Sequence, residues 1–118
     1  MKIETTRKVI VKSICGLDES YLNQLDDDII YSYDYKDELI QKFRANFKEL
    51  KSNGITSLKV VESKCEFCYP DKKTYAFYNP TTNELVLRYV IFQESQDFYR
   101  VEECKNQLTN KRHYGLPF

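Results

Sequence analysis

Residues 36–62 read KDELIQKFRANFKELKSNGITSLKVVE, and their periodicity changes halfway. Leu39, Ile40, Phe43, Phe47 and Leu50 fall at i, i+1, i+4, i+8 and i+11, a single apolar stripe along a helix. Lys42, Arg44, Lys48, Glu49 and Lys51 take the opposite face, which reads as a solvated face rather than a nucleic-acid contact. Asp34 or Asp37 stands where an N-cap is wanted, and Asn53-Gly54 supplies the stop. From Ile55 the helical period is lost, and Ile55 to Glu62 reads as a strand.

Downstream, three more segments carry strand patterns. Tyr75 to Tyr78 is short, with Tyr75 and Phe77 on one face. Asn79 to Asn83 is a turn by composition. Leu85 to Phe92 is apolar on both faces: Leu85, Leu87, Tyr89 and Ile91 share one, Val86, Val90 and Phe92 share the other with Arg88. Such a strand is either central in its sheet or part of a second contact such as a homodimer interface. Gln93 to Asp97 turns, and Phe98 to Cys104 forms the last strand. The tail from Lys105 is polar and without a firm period.

Upstream, Ile10, Ile14, Leu17 and Tyr21 follow helical spacing, so residues 6–16 are expected to be helical. Thr5 or Thr6 would cap the start and Gly16 would end it, although the β-branched Val9-Ile10-Val11 favours a strand. Asp18 caps a second short helix through Leu25. Asp26-Asp27-Asp28 precedes a short strand, Ile29 to Tyr33. Three consecutive carboxylates in extended chain point to alternating faces and do not converge on one ion, so the run reads as a solvated turn. Helices segregated ahead of antiparallel strands define an α+β fold, with N-terminal helices packed on a curved antiparallel sheet.

The chain of 118 residues has the size of a single domain, 1–118, and can bury a core without disulfides. Its formal net charge is zero, so no global field draws it to nucleic acid or to an anionic membrane. No stretch is apolar enough to span a membrane, and the N-terminus lacks the pattern of a secretory signal, which makes the cytoplasm the default location. Ten Tyr and seven Phe are core material first, and Tyr can also present a hydroxyl to a pocket.

The run Leu22 to Tyr31 followed by the helix Lys36–Asn53 resembles the opening of the nuclear-transport-factor-2-like (SnoaL-like) superfamily, and the resemblance extends over about residues 6–104. It rests on element order and carries no signature motif. The resemblance implies a cone-shaped fold with a pocket between sheet and helices. It also implies a choice among isomerases, dehydratases, cyclases and non-enzymatic binding or dimerising domains. Enzymes of that superfamily place Asp, His or Tyr in the pocket. Here the single His, His113, lies in the tail outside the matched region, and no Asp sits within an apolar strand. Tyr31, Tyr33, Tyr75, Tyr78 and Tyr89 are the residues that would line such a pocket, and a Tyr near neutral pH is a donor rather than a base.

Chemistry of another kind is suggested by Cys65-Glu66-Phe67-Cys68 at the tip between the first two strands of the sheet. Three readings stand. The pair could bind zinc, completed by Cys15, Cys104 or His113, as knuckles with C-x2-C spacing do. It could be a redox dithiol, although no helix follows to lower a thiol pKa. It could be an ordinary turn, with thiols that stay free or form an adventitious disulfide. In a simple meander Cys104 lies toward the far end of the sheet, which favours His113 or Cys15 as the completing ligand; the nine residues from Cys104 to His113 span roughly 30 Å when extended. No phosphate-binding Gly loop and no Ser-centred nucleophile motif is present. The expected function is a non-enzymatic binding or protein-interaction domain, with a homodimer through the sheet. The alternatives are a zinc-stabilised domain and an isomerase or dehydratase with a Tyr-lined pocket.

Overall fold

A computed structural model describes residues 2–64 and 71–104. Helix α1 (Ile3–Gly16) and a 3-10 helix (Glu19–Gln24) lead to a two-residue strand β1 (Ile30–Tyr31) and the long helix α2 (Lys36–Ser52). Strands β2 (Lys59–Lys64), β3 (Lys73–Tyr78), β4 (Leu85–Ser95) and β5 (Phe98–Glu103) complete one five-stranded sheet of order β1-β5-β4-β3-β2. The fold is α+β, with the N-terminal helices packed on a sheet that does not close.

Helix α1 forms despite its β-branched run because Thr6, Val9, Ile10, Ser13 and Ile14 make one buried stripe. Burial of that stripe outweighs the few tenths of a kcal/mol per residue by which Val and Ile disfavour a helix, roughly speaking. Neither Thr5 nor Thr6 caps it. The N-cap position is Lys2, and the Thr6 hydroxyl donates back to the Lys2 carbonyl at 3.1 Å from within the first turn. The end also differs from expectation. Gly16 stays helical, and Leu17 takes the left-handed conformation at φ 49°. The Leu17 and Asp18 amides then close on the Ile14 and Ser13 carbonyls. Leu17 is fully buried, so its place in the core offsets a backbone cost of about 1–2 kcal/mol. At the end of α2 the same arrangement uses Gly54 at φ 87°, where a side chain would be strained.

The start of α2 corrects the capping expectation. Tyr35 occupies the N-cap, and the Glu38 carboxylate reaches back to accept its amide at 2.8 Å. Asp37 adds negative charge to the first turn, whereas Asp34 pairs with Lys42. The stripe reads as expected: Leu39, Ile40, Phe43 and Phe47 are buried and join Ile10, Ile14, Phe77, Tyr89 and Ile91 in one core.

Strand β4 is central, third of five, which accounts for its two apolar faces. One face enters the core beneath the helices. On the other, Val90, Phe92, Thr74, Ala76 and Cys104 are also buried within the single chain. The expected homodimer would therefore find these side chains already covered. The exposed apolar residues of the sheet are Val60 (37%) and Val61 (48%) on edge strand β2.

Two boundaries moved for identifiable reasons. Residues 55–58 are not strand: the Leu58 amide bonds the Cys15 carbonyl at the end of α1, and pairing with β3 begins only at Lys59, opposite Tyr78. The expected strand from Ile29 to Tyr33 shrinks to Ile30–Tyr31, because Ser32 turns left-handed at φ 61° and the chain reverses through Asp34. β1 also pairs in parallel with β5, making mixed a sheet expected to be antiparallel throughout. Finally, β4 joins two offset hairpins: β3 pairs with Leu85 to Val90 and β5 with Tyr89 to Ser95. This offset overturns the simple-meander placement of Cys104, which bonds Arg88 and stands level with Ala76 and Val61 rather than at the far end. No described helix is long and apolar enough to cross a membrane.

Candidate functional site

A concavity lies beside the early end of β1. Beyond Tyr99, β5 has no β1 residue beside it, and among the described residues no strand continues along that edge. Ser32 closes this end of the ladder with its side chain. Its Oγ accepts the Val101 amide at 3.0 Å and donates to the Val101 carbonyl at 3.1 Å, while its own amide bonds the Tyr99 carbonyl at 2.7 Å. The space between this edge and α2 is a cleft of about 600 Å³.

Helix α2 gives the cleft Leu39, Lys42, Phe43 and Asn46, residues spaced to share one face. Strand β4 gives Tyr89 and β5 gives Val101, Glu102 and Glu103, with Tyr33 and Asp34 on the rim. The floor is aromatic and aliphatic. Phe43 meets Tyr89 edge-on with ring centroids 5.6 Å apart. On the rim Lys42 Nζ lies 2.6 Å from Asp34 Oδ2, whereas Arg100 donates to Glu102 at 2.7 Å on the Val90/Phe92 side of the sheet. Glu103 is directly opposite Tyr89 across the β4–β5 pair, which puts its side chain on the helix-facing side of the sheet.

Tyr89 is only 6% exposed. Burial raises its pKa well above the ordinary tyrosine value, the Glu103 carboxylate adds to the rise, and a hydrogen bond with Asn46 offsets part of it. The phenol thus stays protonated at neutral pH.

The structure separates the five tyrosines expected to share a pocket. Tyr89 and Tyr33 line the cleft, though Tyr33 is 80% exposed and touches the Arg100 guanidinium 5.6 Å from its ring centroid. Tyr31 is a core residue whose hydroxyl donates to the Asp26 carbonyl at 3.0 Å. Tyr75 faces a separate recess of about 260 Å³ against Arg7 and Val11 of α1. Tyr78 ends β3 at a register shift and lies outside the cleft. Alternation along β5 carried the signal for Glu103, because it has the parity of Tyr99 and Val101. Asp34 and Ser32 gave no such signal, since a left-handed turn at Ser32 is not written in a residue pattern.

Of the metal candidates, Cys65, Cys68 and His113 lie outside the described residues. Cys15, near the end of α1, packs half-buried against the core, and burial pushes its thiol pKa up. Cys104 is on the opposite side of the sheet with Val90 and Phe92. Among the described residues no three potential ligands converge. The acidic turn is solvated as expected, with Asp27 paired to Lys36 at 2.8 Å.

These features define an α+β domain with a cleft between α2 and β5. No family model, no curated protein and no solved structure matches the chain.

Proposed function

We propose that this chain is a non-enzymatic binding domain of the nuclear-transport-factor-2-like kind, acting in the cytoplasm, and that its ligand is a small molecule held in the cleft between α2 and β5. The observation that supports this reading is the combination of an aromatic floor, Phe43 and Tyr89, with a few converging polar groups around a space of about 600 Å³. Small-molecule sites occupy roughly 300–1,000 Å³ and share this division between an apolar lining and sparse polar anchors.

A second reading, an isomerase or dehydratase, is favoured by one feature: the Glu103 carboxylate opposite the Tyr89 phenol would give a base beside a donor. Both readings require the cleft to bind. The test is a fragment titration followed by amide chemical shifts, with Ala45→Trp as the blocking variant, since Ala45 lines the cleft. Shifts concentrated on residues 32–34, 42–46 and 101–103, and lost in the blocked protein, are expected. A folded protein whose shifts fall elsewhere, or persist in Ala45→Trp, refutes the site.

A further inference from the structure

We propose that Asn53-Gly54, at the end of α2, is a self-modification site: Asn53 converts to aspartate and isoaspartate through a cyclic imide, and the closure of the helix end sets the rate. Asn53 is the only asparagine of the chain that is followed by glycine. The nucleophile in this reaction is the amide nitrogen of the next residue. Gly54 presents that nitrogen with no Cβ beside it, and a Cβ built there would meet nothing within 4 Å. Both residues are exposed to water. The other described asparagines lack this combination. Asn79 precedes Pro80, which has no N–H, and Asn46 lies within α2 ahead of the bulky Phe47. Asn23 and Asn83 precede Gln24 and Glu84, whose side chains crowd the nitrogen.

The reaction needs only the chain and water. The Gly54 amide loses its proton, its nitrogen bonds Asn53 Cγ, and the Asn53 carboxamide nitrogen leaves as ammonia. Water then opens the imide at one carbonyl or the other, giving aspartate, or isoaspartate with the backbone routed through the former side chain. The fold holds a brake on the first step. The Gly54 amide donates to the Lys51 carbonyl at 3.0 Å, and the Ile55 amide donates to the Leu50 carbonyl at 3.1 Å. This is the paired closure of a Schellman end, with Leu50 and Ile55 both packed against the core. At ψ 13° the Gly54 nitrogen nearly eclipses the Asn53 nitrogen instead of the Asn53 Cβ, so the ring closes only after the last turn opens and ψ rotates. Isoaspartate then lengthens the backbone inside the loops that both bonds close. It also sets a carboxylate at the negative end of the helix dipole, so the modified end does not reclose as before.

Amide exchange at Gly54 removes the same proton, so it measures the brake independently. The full chain is held in mildly alkaline buffer, folded and in concentrated urea. Samples are mapped by peptide mass and labelled with an isoaspartate-specific methyltransferase. Asn53 is expected to be the first asparagine converted in the folded protein, at a rate below the urea rate by at least the Gly54 protection factor. Ser52→Gly loosens the last turn from an exposed position and is expected to speed Gly54 exchange and Asn53 conversion together. Aged protein is expected to lose protection at the Ile55 amide, and Asn53→Gln to abolish the product. Earlier conversion at another asparagine, or no Asn53 product in aged folded protein, overturns the site. Conversion at the urea rate while Gly54 stays protected overturns the brake, as does faster Gly54 exchange in Ser52→Gly without faster conversion. Should Ser52→Gly fail to fold, urea below the unfolding midpoint of the parent loosens the turn and supplies the same comparison.

Discussion

Replacing Ser32 with Ala tests whether the ladder end beside the cleft is held by a side chain. Ser32 is buried, and its hydroxyl is the partner of both the Val101 amide and the Val101 carbonyl, at 3.0 and 3.1 Å. The substitution leaves the backbone conformation accessible but removes both bonds. A buried backbone group left without a partner costs about 1–3 kcal/mol. Ser32 borders the cleft, so the lower end of the summed range applies, about 2–3 kcal/mol. Domains of this size have total stabilities of about 5–15 kcal/mol, so the protein still folds. At about 4–8 °C per kcal/mol the midpoint falls by roughly 10–20 °C.

Ser32→Gly separates the two contributions at this position. It loses the same bonds, but Gly is relaxed at φ 61°, so it is expected to lie within about 1 kcal/mol of Ala on the stable side. Urea unfolding followed by circular dichroism measures all three proteins, and hydrogen exchange at the Val101 amide reports the bond itself. Ser32→Ala within about 0.5 kcal/mol of the parent, with Val101 still protected, would refute the role assigned to the hydroxyl; ordinary surface changes fall in that range.

Two further outcomes follow from burial and exposure. Burial raises the pKa values of Tyr31 and Tyr89 well above the ordinary tyrosine value, so above about pH 10 the unfolded chain releases protons that the folded chain retains. Stability is therefore full below about pH 10 and declines as pH rises toward the folded values; urea midpoints from pH 8 to 11 read this slope. It should be shallower in Tyr89→Phe, and an unchanged slope would contradict the burial argument. For self-association through the sheet, edge strand β2 presents Val60 and Val61, exposed apolar residues of the described strands. Sedimentation velocity should show any dimer abolished by Val61→Lys, and a dimer that survives that change is not built on this edge.

The sequence by itself determined the helices and the class of the fold, because both depend on local period and composition. The stripe Leu39, Ile40, Phe43, Phe47 needs only a helix to become one face, and Asn53-Gly54 needs only φ freedom to end it. The two-sided apolar character of Leu85 to Phe92 similarly announced a central strand. Tertiary structure decided everything that depends on which strand meets which. The parallel pairing of β1 with β5 joins residues about seventy positions apart, and the offset of the two hairpins on β4 moved Cys104 to the middle of the sheet. The candidate site belongs to that second group. Among the described residues its wall forms where Ser32 turns left-handed and ends β1 after two residues, beside α2. A helix stripe is fixed by neighbours three and four residues away, whereas a cleft is fixed by where a distant strand stops.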